Sequence, residues 1–309
     1  MLLSIVVPVF NEEECIKQLY QQTRLIVDSL QVTTEWLFVN DGSVDRSAEI
    51  LAELRHQDRR VNIITLSRNF GHQQALKAGI DHATGDAVIT MDADLQDPPE
   101  AIADMVKKWR EGYDVVYTFR SERKGDSIFK KFTAALYYRL MKRIAHFEIP
   151  LDAGDFRLMS KQVVNALKNI KEKRPYLRGL ISWVGFKQVG ISIKREARFA
   201  GKTKYSFLKM LQFAWSGITH FSFLPLYLSI WIGFFTLLCC LGGFIYTLYV
   251  TLILKTTVPG WASIMISILF FGGVQLITLG ILGSYTAYNY DESRNRPLYI
   301  IQAMEGLED

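Results

Sequence analysis

The sequence Ala87-Val88-Ile89-Thr90-Met91-Asp92-Ala93-Asp94-Leu95-Gln96-Asp97-Pro98-Pro99 combines three structural signals. Its first five residues are mostly apolar or β-branched and predict a buried strand that ends at Asp92. The paired prolines predict the first turn of a helix that runs to about Glu111. Between strand and helix lies a short acidic segment, which is the arrangement expected at the ligand-binding end of a strand in an α/β sheet.

Strand and helix signals alternate on both sides of this segment. Further strands are predicted at residues 3–9, 36–39, 61–66 and 114–118, and a helix at 73–83. Asn11 is predicted to cap a helix with Glu14 at its third position, and Ser43 to cap a helix that runs to about Gln57. This alternation predicts an α/β fold with a mostly parallel sheet. Asp41 and Asp92 would then end different strands at one edge of that sheet.

The acidic segment is a candidate metal site. In extended backbone, Asp92 and Asp94 would project to the same side, and Gln96 would add a neutral oxygen there. These hard oxygen ligands suit Mg²⁺ or Mn²⁺ shared with a diphosphate. An isolated Asp-x-Asp is usually a solvated turn, so its place at the end of an apolar strand is what favours the metal.

Two uncharged stretches, residues 226–254 and 261–290, occupy the last third of the 309-residue chain. Each exceeds the roughly 20 residues that cross a bilayer, and the short link between them predicts a transmembrane hairpin. A pair of buried core helices is the alternative, although core helices rarely lack charge on every face. Basic residues flank the hairpin at Lys194, Arg195, Arg198, Lys202, Lys204, Lys209, Arg294 and Arg296, whereas the link has only Lys255. The positive-inside rule therefore predicts that both ends are cytoplasmic.

The net charge of +5 comes largely from two basic segments, residues 120–143 and 194–209. Beside membrane spans, such segments favour anionic lipid or phosphate over nucleic acid. Residues 127–147 fit either a basic amphipathic helix at the bilayer surface or a surface helix packed on the core, and 205–223 are similar. Met1–Phe10 lacks the basic start of a signal peptide, and the three cysteines form no metal or disulfide pattern.

The chain resembles family 2 glycosyltransferases of the GT-A fold. The matching segments are Ser4-Ile5-Val6-Val7-Pro8-Val9-Phe10-Asn11-Glu12, Val39-Asn40-Asp41-Gly42-Ser43, Ser67-Arg68-Asn69-Phe70-Gly71, Met91 to Pro99 and Asp155-Phe156-Arg157-Leu158. The nearest subgroup is the polyprenyl-phosphate glycosyltransferases, which include dolichol-phosphate mannose synthases and bactoprenol glucosyltransferases. The resemblance implies a cytoplasmic catalytic domain (1–200), a juxtamembrane interfacial segment (201–225), two spans (226–290) and a cytoplasmic tail (291–309).

The resemblance also implies roles for individual residues. Those assigned to the nucleotide sugar are Pro8, Asn11, Glu12, Asp41, Gly71, Asp92 and Ala93, and the metal ligands are Asp92, Asp94 and Gln96. Asp41 would bind the base or ribose, with an Asx turn before Gly42 as the structural alternative, and both readings can hold together. Arginines at the positions of Arg120 and Arg123 contact phosphates in the family, while Lys131, Lys202 and Lys204 are candidates for the acceptor phosphate or lipid headgroup.

Asp155 matches the aspartate to which catalysis in the family is ascribed. A lipid phosphate is already ionised at neutral pH, so a strong general base is less needed than for a sugar hydroxyl. Asp155 is therefore expected to orient the acceptor or to stabilise the reacting sugar. A structural aspartate, paired with a neighbour such as Arg157, is the alternative.

The resulting hypothesis is inverting transfer of a hexose, with glucose from UDP-glucose favoured, to polyprenyl (undecaprenyl) phosphate at the cytoplasmic membrane face. GDP-mannose as the donor, or a catalytically silent membrane scaffold, are the alternatives. A processive synthase is disfavoured because no Gln-x-x-Arg-Trp motif occurs, and an oxidoreductase because no Gly-x-Gly-x-x-Gly follows the first strand. Small residues four apart in each span, Ser229 with Gly233 and Gly280 with Ser284, predict a homo-oligomer.

Overall fold

The computed structural model of the chain describes residues 1–120, 153–173, 175–193, 224–254 and 260–307. It divides into two compact units. The first comprises residues 1–205 and 296–309, and the second comprises residues 206–295.

The first unit is built on a mixed sheet that has eight strands among the described residues. The strands are β1 (Leu2–Val9), β2 (Thr33–Asn40), β3 (Val61–Leu66), β4 (Ala87–Thr90), β5 (Val115–Arg120), β6 (Ala153–Ser160), β7 (Gln188–Ile193) and β8 (Ile301–Glu305). Their order across the sheet is β7-β5-β6-β4-β1-β2-β3-β8. Only β6 and β8 run antiparallel to their neighbours. The predicted α/β fold with a mostly parallel sheet is therefore confirmed.

Helices cover both faces of this sheet. They are α1 (Ile16–Ser29), α2 (Ser47–Gln57), α3 (His72–His82), α4 (Ala101–Arg110), α5 (Lys161–Lys168) and α6 (Leu177–Trp183). Ile5 and Val7 join a hydrophobic cluster with α1, α2 and α4, whereas Val6 joins a second cluster with α3, α5 and α6. The side chains of β1 thus alternate between two buried faces, as the strand period of two requires.

The predicted helix caps at Asn11 and Ser43 are wrong. Helix α1 begins only at Ile16, after an N-cap at Cys15, so Glu14 lies before the helix. Helix α2 begins at Ser47. The side-chain oxygens of Asn11 and Ser43 instead accept hydrogen bonds from backbone N–H groups of the opposite loop. This competes with capping, because a side-chain oxygen used across loops is not available to its own helix.

The other predicted boundaries agree with the structure to within a few residues. Helix α4 begins at Ala101, and the carbonyl oxygens of Pro98 and Pro99 accept hydrogen bonds from the first two backbone N–H groups of the helix. The prolines therefore form the turn that starts the helix. Strands β6, β7 and β8 are additions to the predicted set.

The second unit contains two long helices, α7 (Leu224–Leu252) and α8 (Trp261–Ser293), which contact each other. Both are long and apolar enough to cross a membrane, over Leu226–Tyr246 and Phe270–Ser293. Only 11% and 0% of their most apolar stretches are buried, whereas the core helices of a soluble protein are mostly buried.

The last described residue of β7 and the first residue of β8 lie at one edge of the sheet. Strand β7 runs parallel to β5, so its last residue, Ile193, lies at the carboxyl edge of the parallel strands. Strand β8 runs antiparallel to β3, with Ile301 paired to Leu66, so its first residue lies at that same edge. The segment predicted as a tail thus contributes an edge strand to the sheet of the first unit.

Candidate functional site

Polar and charged groups line the carboxyl edge of the sheet in the order of its strands. Asp155 lies on β6, Asp92 follows β4, Asn11 follows β1, Asp41 follows β2, and Gly71 follows β3. We call the loops after β1, β2 and β3 (residues 10–15, 41–46 and 67–71) the first half of the edge. The second half is formed by the loop after β4 (residues 91–100), the start of β6, and α6.

In the first half, the loops after β1 and β2 are joined by hydrogen bonds. The backbone N–H groups of Asn11 and Glu12 donate to the hydroxyls of Ser43 and Ser47, over 3.1 and 3.0 Å. The side-chain oxygen of Asn11 accepts from the backbone N–H of Val44 at 2.9 Å. Asn11 has a left-handed φ of 55°, which asparagine tolerates better than most residues. These residues fix the shape of the loops.

Asp41 is buried and holds the loop after β3. Its two carboxylate oxygens accept hydrogen bonds from the backbone N–H groups of Phe70, at 2.7 Å, and Gly71, at 2.9 Å. Burial raises the pKa of Asp41 above its usual value, and these two N–H donors oppose the rise. The Ser43 N–H, which an Asx turn of Asp41 would use, donates instead to the side-chain oxygen of Asn40 at 2.9 Å. The proposed Asx turn of Asp41 is therefore wrong.

Glycine is required at position 42 of the same half. Gly42 has a φ of +69°, and a β-carbon there would lie 2.7 Å from the backbone carbonyl carbon of Arg68 and the backbone nitrogen of Asn69. No flexible side chain could move to relieve this contact. The loops after β2 and β3 consequently pack backbone against backbone, which places Asp41 beside the N–H groups that it binds.

In the second half, the acidic segment is a turn rather than an extended strand. Strand β4 ends at Thr90, and Leu95 has a left-handed φ of 59°. Asp94 is buried, and one of its carboxylate oxygens accepts from the backbone N–H of Gln96 at 3.2 Å. The extended spacing assumed for Asp92 and Asp94 is therefore wrong, because the chain turns at once toward α4. Their joint metal ligation stays a prediction.

Asp92 is paired with a residue that the sequence did not single out. Its carboxylate oxygen lies 2.8 Å from Nε2 of His72, the first residue of α3. Burial acts to lower the pKa of His72, but the carboxylates of Asp92 and Asp155 outweigh it and raise that pKa above its usual value. The imidazole thus carries positive character next to the acidic segment.

Asp155 is 5% exposed and forms a two-point ion pair with Arg178 of α6. Arg178 Nε and Nη2 each donate to one carboxylate oxygen, both at 2.8 Å. Burial acts to raise the pKa of Asp155, but the Arg178 guanidinium outweighs it and holds that pKa well below the usual range. Arg157, the partner considered from the sequence, instead donates from Nε to the Gly154 carbonyl at 2.8 Å. A bidentate pair of this kind fixes direction as well as charge.

His72, Asp92 and Asp155 form the one three-residue cluster of possible metal-ligating side chains among the described ranges, with ligand atoms within 4.8 Å of one another. Two carboxylates suit Mg²⁺ or Mn²⁺, so the donor set fits the predicted ions. Arg178 uses one lone pair on each oxygen of Asp155, so a metal bound by Asp155 would share that carboxylate with the guanidinium. Asp92 is the residue shared by this cluster and the predicted ligand set.

The remaining predicted residues are placed as follows. Pro8 lies within β1, the Glu12 carbonyl accepts from the first turn of α1, and Ala93 packs into the hydrophobic cluster around α1 and α4. Arg120 is the last residue of β5. Arg123, Lys131, Lys202 and Lys204 lie outside the described residues. The two residues that sequence reasoning missed are His72, which directly follows a matched segment, and Arg178, for which the sequence carries no signal.

The chain is similar to several known proteins. Residues 4–168 match the family described as Glycosyl transferase family 2. The chain is 50% identical to the uncharacterized glycosyltransferase YkcC of Bacillus subtilis, covering 99% of this chain and 95% of that protein. It is 42% identical to the bactoprenol glucosyl transferase of Shigella phage SfV, covering 98% of each. The crystal structure of mannosyl-3-phosphoglycerate synthase from Rubrobacter xylanophilus aligns with a TM-score of 0.48 at 15% identity, covering 71% of this chain and 72% of that one.

Proposed function

Because the chain belongs to glycosyl transferase family 2, with the mixed α/β sheet of the GT-A fold, we propose that it transfers a hexose from a nucleotide sugar to polyprenyl phosphate at the cytoplasmic membrane face. We further propose that the donor is UDP-glucose. The 42% identical phage protein is named a bactoprenol glucosyl transferase and matches over nearly its whole length, which supports both the lipid acceptor and glucose.

One structural observation carries the proposal of a lipid acceptor. The chain leaves the sheet after Ile193 and returns at Ile301, both at the carboxyl edge where Asp92 and Asp155 lie. The intervening residues include α7 and α8, the two helices able to cross a membrane. We therefore propose that the acceptor is a phosphate that stays in a bilayer, because the chain that carries the site also carries two candidate membrane spans.

The proposed reaction is a single in-line displacement at the anomeric carbon. Asp92 and Asp94, with Gln96, would hold Mg²⁺ or Mn²⁺, which when bound supplies positive charge to the leaving diphosphate. The acceptor phosphate attacks from the opposite face and inverts the configuration. The ion pair with Arg178 stabilises the Asp155 anion and makes it a weak base, so its proposed role is to orient charged groups rather than to remove a proton.

The two halves of the edge are proposed to bind different parts of the substrates. Asp41, Gly71 and the loop after β1 meet through uncharged backbone donors and hydroxyls, which suits a base and ribose. His72, Asp92, Asp155 and Arg178 bring charge together, which suits phosphates. GDP-mannose remains the alternative donor. A silent scaffold would have no use for this pairing of charges.

The position of β8 supports a two-pass topology. Since β8 joins the sheet of the first unit, the chain before α7 and the chain after α8 must be on the same side of any membrane that both helices cross. With the basic flanks, we propose that this side is cytoplasmic. In a variant without native cysteines, an impermeant thiol reagent should label Val258→Cys but not Glu305→Cys in intact cells. Labelling of Glu305→Cys alone would reverse the topology.

Self-association is also proposed. No atom outside α7 or α8 comes near a β-carbon built on Gly233 or Gly280, among the residues that the structure describes, so these helix faces are open to close packing. A monomeric mass in several mild detergents and in nanodiscs would contradict it.

The enzyme in nanodiscs containing polyprenyl phosphate should be incubated with labelled UDP- and GDP-sugars, with and without Mg²⁺ or Mn²⁺. We expect a glucosylated lipid from UDP-glucose with metal, and none in excess EDTA. Asp155→Asn serves as the impaired control, and Arg24→Ala, in an exposed ion pair with Asp28, as the unimpaired one. Absence of any glycolipid with every donor would overturn the proposal.

A further inference from the structure

Arg178 is placed in the site by a single residue. Its guanidinium makes its two hydrogen bonds to Asp155, and no other acceptor for it is found in the part of the chain that the structure describes. Asp155 is almost fully buried, whereas the Arg178 side chain is 37% exposed. The buried carboxylate therefore anchors the guanidinium, while part of the Arg178 side chain stays accessible.

The remaining hydrogen-bonding capacity of Arg178 fits a phosphate. A guanidinium has five N–H donors in a planar fork, and Asp155 takes two of them. The other three can bind the oxygens of a phosphate, for which this geometry is well suited. Lysine in the same place would offer charge without the planar fork.

The remaining N–H donors of Arg178 lie in the second half of the edge, near the proposed metal ligand. The charge of Asp92 stabilises the Arg178 cation, and the Arg178 charge in turn acts on His72. Arg178 therefore lies within electrostatic reach of the proposed metal ligand without pairing with it. Asp155, to which Arg178 is bound, lies at the carboxyl edge of the sheet, as do Ile193 and Ile301.

We propose that Arg178 binds the acceptor phosphate and that Asp155 is the residue that positions it. This inference rests on the proposed function, since it assigns the acceptor subsite of the same reaction. It gives Asp155 the task of holding the Arg178 guanidinium in place, which a buried, paired carboxylate can perform. It also adds a site residue from α6, which the sequence analysis did not consider.

The step balances without a proton transfer to protein. One phosphate oxygen forms a bond to the anomeric carbon while the bond from that carbon to the diphosphate oxygen breaks, and its electron pair leaves with the diphosphate. Arg178 donates to the non-attacking oxygens of the acceptor. As it neutralises part of their charge, the acceptor phosphate can approach the anionic donor.

The test compares Arg178→Ala and Arg178→Lys with the wild-type enzyme and with Arg24→Ala, whose arginine pairs with Asp28 on the surface. Calorimetry measures the Kd for UDP-glucose. Steady-state transfer measures the KM for polyprenyl phosphate in nanodiscs, and slow hydrolysis of UDP-glucose by water reports on the site without the lipid. Thermal melts report folding.

We expect Arg178→Ala to raise the KM for polyprenyl phosphate at least about tenfold, with the Kd for UDP-glucose within about twofold and hydrolysis retained. Arg178→Lys should recover part of the loss, and added guanidinium ion should partly rescue Arg178→Ala. An unchanged KM would overturn the proposal. If both variants lost donor affinity, hydrolysis and melting temperature together and to the same extent, Arg178 would have a structural role. That result would overturn the proposal as well.

The same measurements distinguish an error in the proposed acceptor from an error in the role of Arg178. If the wild-type enzyme hydrolyses UDP-glucose but glycosylates no polyprenyl phosphate, the acceptor itself is wrong. If the wild-type enzyme transfers and Arg178→Ala transfers equally at low lipid, only the role of Arg178 is wrong. Should Arg178→Ala fail to fold, Arg178→Lys carries the test, since an unchanged KM in that variant and no effect of Asp155→Asn on KM would together exclude the subsite.

Discussion

The two halves of the sheet edge each contain a buried aspartate, and the two are held in different ways. Asp41 binds the backbone N–H groups of Phe70 and Gly71, while Asp155 binds the side chain of Arg178. Burial leaves the pKa of Asp41 raised, because its donors are uncharged. Burial is outweighed at Asp155 by the guanidinium, and its pKa is well below the usual range.

We propose that this difference separates donor binding in the first half from the chemical step in the second. The first half holds its buried aspartate through uncharged backbone donors in a fixed set of loops, which suits the neutral parts of a nucleotide. A half that concentrates Asp92, His72, Asp155 and Arg178 provides a strong, directed field, which suits the phosphates whose charge changes during transfer. Substitutions in one half are therefore expected to affect a different property from substitutions in the other.

The largest effect is expected from the second half when the acidic segment is altered. Asp92→Ala and Asp94→Ala should each lower transfer about a thousandfold, because the charge supplied to the leaving diphosphate is lost, an effect of several kcal/mol. Steady-state transfer with Mg²⁺ or Mn²⁺ measures this. Asp104→Ala, on α4 and outside both halves, is the control. Full activity of Asp94→Ala, or of the wild-type enzyme in excess EDTA, would contradict a metal at this site.

The first half should depend on close backbone packing. Gly42→Ala combines a left-handed φ with a β-carbon 2.7 Å from the backbone at Arg68 and Asn69, so it should cost about 3 kcal/mol of unfolding free energy. Gly112→Ala is the matched control, since its φ is +91° but nothing lies within 4 Å of the added carbon. It should cost about 1 kcal/mol. Denaturant melts of both variants measure the difference, and equal costs would show that the loops do not pack as described.

The ion pair of the second half should appear in the pH dependence of stability. The pKa of Asp155 is lower in the folded than in the unfolded chain, so its stabilisation is present above the usual aspartate value near 3.8 and is lost as the pH falls through the folded value. Asp155→Asn should cost about 2 kcal/mol at neutral pH, and this cost should shrink below about pH 4. Melts of the wild-type protein and Asp155→Asn from pH 7 to pH 2 test this. If the unfolding free energies of the two proteins changed in parallel with pH, the ion pair would not be the source of the pH dependence.

The sequence predicted the central strands well because their side chains are apolar on both faces. Strand β6 was not predicted because charged residues interrupt it. One of these, Arg157, is 1% exposed and is satisfied by the Gly154 carbonyl, which a sequence pattern cannot reveal. Strand β8 is short, mostly exposed on the sheet edge, and depends on β3, which lies more than 200 residues earlier.

The site was predicted at the level of strand ends, but its pairings were not. That Asp41 and Asp92 share one edge follows from strand order alone. The contacts of Asp92 with His72 and of Asp155 with Arg178 join residues on different elements, and only the packing of α3 and α6 against the sheet brings them together. The turn at Leu95, which redirects Asp94, likewise depends on how α4 packs.

The separation of the two halves is tested most directly by measuring donor affinity and single-turnover transfer for Asp155→Asn and Asp41→Asn in the same preparation. We expect Asp155→Asn to bind UDP-glucose within about twofold of wild type and to transfer at least about tenfold more slowly, equivalent to roughly 1.4 kcal/mol of lost transition-state stabilisation. Asp41→Asn should weaken donor binding, because the amide that replaces one oxygen cannot accept from a backbone N–H, and should transfer bound donor at a nearly normal rate. Equal losses of affinity and rate in both variants would contradict the account.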